Sequence, residues 1–158
     1  MKDILGPAEP PAPSTEYYTV NLFIDIDGVL LGKSAATGEC MLANHAKDFL
    51  EFCLGKFDCY WLTTHCRGSI DTVSAYLAPY ADAELNTLIE RIKPTNFKTF
   101  KTEALFGDFI WVDDQPTAYE MQVLDDNNLF DRWYQVNTRK NPDELLSLMS
   151  SLQEVIKR

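Results

Sequence analysis

Histidine is scarce in this chain, with only His45 and His65 among 158 residues. The four cysteines, Cys40, Cys53, Cys59 and Cys66, form no CxxC pair and no zinc-type spacing with either histidine. Those absences argue against a structural zinc site or a disulfide framework. Cysteines in apolar or helical surroundings read instead as reduced core residues. Basic residues are also few: 14 Lys and Arg stand against 24 Asp and Glu, a formal net charge of −10. Such a surface repels a phosphate backbone at long range, so nucleic acid is a possible but disfavoured partner that would need a local basic patch. No run approaches the ~18 apolar residues that span a bilayer. The opening segment MKDILGPAEPPAPSTE lacks the apolar stretch of a signal peptide, which predicts a cytoplasmic address and no membrane partner. No internal repeat is found.

What is present is the material of a packed core. Hydrophobic residues make up 46% of the chain and aromatics 12%, enough for one globular domain at this length. Residues 1–16 hold four of the eight prolines and read as a flexible Pro-rich arm ahead of a folded domain over 17–158. From Tyr17 the run YYTVNLFIDID is β-branched and aromatic, as in a strand buried on both faces. Residues 31–41 have no periodicity and predict a loop or a short hairpin. Asn44 stands where it can cap a helix over 45–54 that Gly55 would stop. FDCYWL predicts a second strand, and helices are expected over 70–77 and 82–92, each ending ahead of a proline. DFIWV and RWYQV complete the strands, with a helix from Pro116 to about Leu124 between them. The closing NPDELLSLMSSLQEVIKR begins with an Asn cap and a Pro at the first helical position. Strands alternating with helices predict an α/β domain with a mostly parallel sheet. Functional loops of such sheets gather at the carboxyl ends of the strands, where DIDG, TTHCRG and DDQP all fall.

Asp25 and Asp27 follow an apolar strand two residues apart, on one side of the chain if it stays extended. Paired carboxylates repel unless a cation or a proton separates them. A hard divalent ion such as Mg²⁺, with its octahedron of oxygen ligands, suits the pair. Asp113 and Asp114 close another apolar strand and bring two more carboxylates to the same rim. Acidic residues also end strands as turn formers, but two such pairs on one rim point to a shared cation. Gly28 permits the turn after Asp27.

In their order and placement these segments resemble the haloacid dehalogenase-like (HAD) superfamily. FIDIDGVL resembles its first motif, an apolar strand followed by DxDG. WLTTH resembles the second, a strand ending in Thr or Ser, and IWVDDQP the fourth, a strand ending in paired acids. The matches extend from Tyr17 to Pro116. The resemblance implies a three-layer Rossmann-like fold and a Mg²⁺-dependent phosphohydrolase, with Asp25, Asp27, Asp113 and Asp114 around the metal. It implies that Asp25 attacks phosphorus to form an aspartyl-phosphate. Asp27 would protonate the leaving oxygen, then activate water, and lend a backbone carbonyl to the metal. A threonine after the second strand would hold the phosphoryl group: Thr63 by its place directly after CYWL, or Thr64 beside it. Asp114 aligns with the metal ligand of the acidic pair, and Asp113 would orient the basic residue of the third motif. For that base Lys101, opening KTEALF, ranks first and Lys98 second, while Lys93 lies too far upstream. Arg67 is either a phosphate contact or a surface arginine at a helix start. His65 reads as a polar turn residue, and Trp61 and Trp111 as core.

Between Asp27 and Thr63 lie 35 residues, and between Thr64 and Lys101 lie 36. Those spans leave room for no separate cap domain, only for a modest lid over 78–97. The expected substrate is a phosphorylated small molecule or a macromolecular phosphate end. The alternative is a catalytically quiet HAD-like binding or regulatory module, against which the intact acids weigh, since unused buried carboxylates are costly.

Overall fold

The computed structural model describes residues 19–157; the Pro-rich arm expected over 1–16 lies outside them. In chain order the elements are β1 (Asn21–Ile24), β2 (Leu31–Lys33), β3 (Cys40–Leu42), α1 (Ala46–Lys56), β4 (Asp58–Trp61), α2 (Ile70–Leu77) and α3 (Ala83–Ile89), then β5 (Phe109–Asp113), α4 (Ala118–Asp126), β6 (Trp133–Gln135) and α5 (Glu144–Ile156). Short 3₁₀ turns at Lys101–Ala104 and Phe130–Arg132 precede β5 and β6. Four strands form one sheet in the order β4-β1-β5-β6, every neighbouring pair parallel, and helices flank it. This is an α/β fold. Residues 31–41 prove to be a hairpin, β2 against β3.

Strand periodicity divides the core. Leu22 and Ile24 lie in register with Cys59 and Trp61 on one side and with Ile110 and Val112 on the other. They pack with Phe49, Leu50 and Cys53 of α1, Leu85 and Leu88 of α3, and Leu145, Leu148 and Leu152 of α5. Phe23 belongs to a second cluster with Leu62, Phe97, Phe109, Trp111 and Leu124, and its ring stacks on Tyr60 at 5.1 Å. The two clusters explain why β1 reads as apolar at every position: alternate residues enter different clusters. Each fully buried Leu or Ile contributes about 1.5–3 kcal/mol relative to exposure, so β1 is held at the centre of the sheet. The chain beyond it begins at a fixed place.

Several helix ends differ from expectation. Asn44 does not cap α1; its amide donates to Asp143 Oδ1 at 2.9 Å, and His45 takes the cap position at φ 66° without a side-chain bond. Gly55 does not stop α1 either: the helix runs to Lys56, and the Phe57 N–H closes it by donating to Cys53 O. α3 is capped by Asp82 but ends at Ile89. The chain is then recruited to the edge of β4, with Lys93 N–H donating to Cys59 O and Trp61 N–H donating to Lys93 O. Thr117, not Pro116, begins α4, through a reciprocal capping bond with Glu120. α5 starts at Glu144, after an Asn141 turn, rather than at Pro142. Among the described residues no helix is long and apolar enough to cross a membrane.

Candidate functional site

β1 and β5 run in register, with Ile24 opposite Val112, so Asp25 and Asp113 leave neighbouring carboxyl ends side by side. The Asp25 N–H donates to Val112 O at 3.0 Å, extending the pairing by one bond. Lys101 reaches between the acids from its 3₁₀ turn: Nζ lies 2.7 Å from Asp113 Oδ2 and 3.1 Å from Asp25 Oδ2. Only 13%, 8% and 1% of the Lys101, Asp25 and Asp113 side chains are exposed, so water screens the trio little. Burial, together with the Asp113 charge, pushes the Asp25 carboxyl up to about 7, against the pull of Lys101 and of the Ile26 N–H. Burial works against the Lys101 ammonium too, but the carboxylates of Asp25 and Asp113 outweigh it and hold its pKa above the usual lysine value. The site thus carries more negative charge than one lysine neutralises.

Asp114 adds a third carboxylate. Asp25, Asp113 and Asp114 each bring a ligand oxygen within 4.8 Å of the others. Octahedral Mg²⁺, with bonds of about 2.1 Å, sets its ligand oxygens roughly 3 to 4.2 Å apart, so the three acids fit such an ion after small adjustment. An all-oxygen donor set suits hard divalent cations as a class and does not select Mg²⁺ from Mn²⁺ or Ca²⁺. Burial and the neighbouring Asp113 raise the Asp114 carboxyl, while Arg139 Nη1, 3.1 Å from Asp114 Oδ2, opposes the shift. Gly28 makes room for this acid. Its φ is +78°, and a Cβ there would collide with the Asp114 carboxylate.

The Asp27 carboxylate does not join this trio, because the chain bends at Ile26 instead of staying extended. Its Oδ1 accepts from the Tyr76 hydroxyl at 2.6 Å and its Oδ2 lies 2.8 Å from His65 Nε2. Burial alone would raise the Asp27 carboxyl. The Tyr76 and His65 hydrogen bonds, with the charges of His65 and Arg139, outweigh it and hold Asp27 below the usual carboxylate range. Thr63 is fully buried just past β4, where its Oγ1 accepts from the His65 N–H at 3.3 Å. Thr64 is exposed.

Of the three lysines weighed from the sequence, Lys101 is the one placed on the acids. Lys98 is exposed, with its amide donating to Glu103 Oε1 at 2.9 Å, and Lys93 pairs with Asp58 at the edge of β4. Arg67 turns from the rim to Phe97, donating to its carbonyl at 3.4 Å with the guanidinium 5.5 Å from the ring centre. Four further residues belong to the site's surroundings: His65, Tyr76, Arg139 and Glu120. Glu120 is buried, and its carboxylate accepts the Lys101 N–H at 2.6 Å and the Thr117 N–H at 2.9 Å, locking α4 to the lysine turn. A signal for two of them was available. His65 sits in the turn that carries Thr63, and Tyr76 shares a helical face with Val73 and Leu77 at i, i+3, i+4 spacing.

No family model matches the chain, and a search of curated proteins finds no match.

Proposed function

We propose that this chain is a Mg²⁺-dependent phosphomonoesterase of the HAD type, a three-layer Rossmann-like domain without a separate cap. The observation that carries the reading is the Lys101 ammonium shared by Asp25 and Asp113 at the carboxyl ends of adjacent parallel strands, with Asp114 completing an oxygen cluster. Asp25, Asp113 or Asp114, and the backbone carbonyl of Asp27 would hold the cation. When bound, it supplies positive charge to the phosphoryl oxygens, the main demand of such a transition state.

In this reading an Asp25 oxygen attacks phosphorus, the bond from phosphorus to the ester oxygen breaks, and Asp27 gives its proton to the departing oxygen. Water then attacks the aspartyl-phosphate, Asp27 takes its proton back from that water, and inorganic phosphate leaves Asp25 regenerated. Lys101 and Thr63 hold the phosphoryl oxygens. Asp27 is ionised in the free protein, the form needed for the water step; an anionic phosphate beside it favours the protonated form needed for the first. The substrate class is a phosphomonoester, from a small molecule or a macromolecular phosphate end.

Turnover of p-nitrophenyl phosphate with Mg²⁺, its loss with EDTA and its abolition in Asp25→Asn test the reading. Metal-dependent turnover that survives Asp25→Asn removes Asp25 as nucleophile. One observation favours a second reading, a quiet HAD-like binding module: both Asp27 oxygens already hold a hydrogen-bond donor. Mg²⁺ binding by calorimetry without turnover across a phosphoester panel would select it.

A further inference from the structure

Of Asp25, Asp27, Asp113 and Asp114, Asp27 is the one with neither lysine nor arginine at hydrogen-bond distance among the described residues, and two rings hold it instead. Tyr76 comes from α2 and His65 from the turn after β4, so the two donors arrive on separate elements. Their rings stack face to face, with centroids 3.5 Å apart and planes 11° from parallel. The Tyr76 hydroxyl donates to one Asp27 oxygen at 2.6 Å, and His65 Nε2 lies 2.8 Å from the other. The carboxylate in turn pushes the Tyr76 hydroxyl up, chiefly through the shared hydrogen bond. A third bond, from the His65 N–H to Thr63 Oγ1, ties the same turn to the buried end of β4.

We infer that the stacked His65–Tyr76 pair is a positioning device for Asp27, aiming its carboxylate at the leaving-group oxygen in the phosphoryl transfer proposed above, on which this inference rests. An aspartate on a turn rotates freely about two side-chain bonds. Here each oxygen is fixed by a different element, and the stack stops either ring from swinging away with it. Each carboxylate oxygen keeps a second lone pair, and a third of the side chain is exposed, so Asp27 stays reachable from the rim. His65 and Tyr76 touch Asp27 and not the reacting atoms. Asp27 serves both steps, but the identity of the leaving group enters only the one in which Asp27 hands over its proton.

That difference gives a readout that general loss of structure would not move. p-Nitrophenolate departs with little protonation, whereas phenolate needs a proton in the transition state. General acid catalysis contributes about 10²–10⁴-fold. His65→Ala and Tyr76→Phe are therefore expected to lower kcat/KM, which reports the steps up to leaving-group departure, at least ~10-fold more on phenyl phosphate than on p-nitrophenyl phosphate. His65→Gln, whose amide can still donate to Asp27, is expected to recover most of the difference. Tyr76→Phe keeps the ring and its stacking, so it tests the hydroxyl in a folded protein. Equal losses on both substrates, or none, overturn the positioning role while leaving the phosphatase reading intact. A wild-type protein inactive on both substrates with Mg²⁺ overturns the reaction itself, and the role of the pair with it.

Discussion

Replacing Lys101 with methionine keeps most of the side-chain length and removes the charge that Asp25 and Asp113 share at 3.1 and 2.7 Å. The two carboxylates then face each other with 8% and 1% of their side chains exposed, so water cannot take the place of the ammonium. Removing one partner of a buried ion pair costs about 3–5 kcal/mol. Lys101 serves two acids, which places the expected loss toward the upper end. In a domain of this size each 1 kcal/mol moves Tm by about 2–4 °C, so Tm should fall by roughly 6–20 °C. Guanidinium chloride melts and calorimetry, with EDTA at pH 8, read the change directly. Adding Asp113→Asn removes one of the two stranded charges. The double variant should recover a coupling of about 1–3 kcal/mol relative to the sum of the single losses. A single-variant cost below ~1 kcal/mol, or a double variant as unstable as that sum, refutes the shared ion pair.

Trp61 and Trp111 are both fully buried, but Trp61 Nε1 donates to Ile89 O at 3.2 Å while Trp111 Nε1 has no partner among the described residues. Trp61→Phe should therefore destabilise by about 1–3 kcal/mol more than Trp111→Phe, which loses the same volume but strands no acceptor; equal urea midpoints would count against it. Glu120→Gln leaves one acceptor for two N–H groups, those of Lys101 and Thr117. A loss of about 1–3 kcal/mol in chemical denaturation is expected, and an unchanged midpoint would remove Glu120 as the tie between α4 and the lysine turn. In metal-free protein the Asp25 carboxyl sits at about 7, above its ordinary 3.8, so the folded state takes up its proton more readily than the unfolded state. Its contribution is fully present below about pH 4 and is lost as pH rises through about 7. Denaturation midpoints with EDTA should fall more steeply between pH 5 and 8 in wild type than in Asp25→Asn; identical slopes would contradict the raised value.

Local patterns carried much of the fold and part of the site. The unbroken apolar runs of β1 and β5, with acids directly after them, announced central parallel strands whose carboxyl ends bring those acids together. Lys101 was legible for a similar reason, since it opens a short turn immediately ahead of β5. Helix ends were less legible. Asn44 has the composition of a cap, yet it bonds Asp143, 99 residues away, and Gly55 has the composition of a stop, yet α1 runs past it to Lys56 with Phe49, Leu50 and Cys53 packed in the core. Both outcomes depend on neighbours that local propensity does not contain.

Which strand ends carry acids, and that those ends share a rim, follow from side-chain alternation and the short-range rules of parallel sheets, so the order of residues determines them. What each acid then holds was decided in three dimensions. Asp27 meets Tyr76 across 49 positions and His65 across 38, and Asp114 meets Arg139 across 25. Partnerships at such separations depend on how a turn, a helix end and a loop are brought together by core packing, where desolvation makes each unpaired carboxylate costly. The pair Asp25 and Asp27, adjacent in pattern, is therefore split in space: one acid faces a lysine and the possible cation site, the other a stacked histidine and tyrosine.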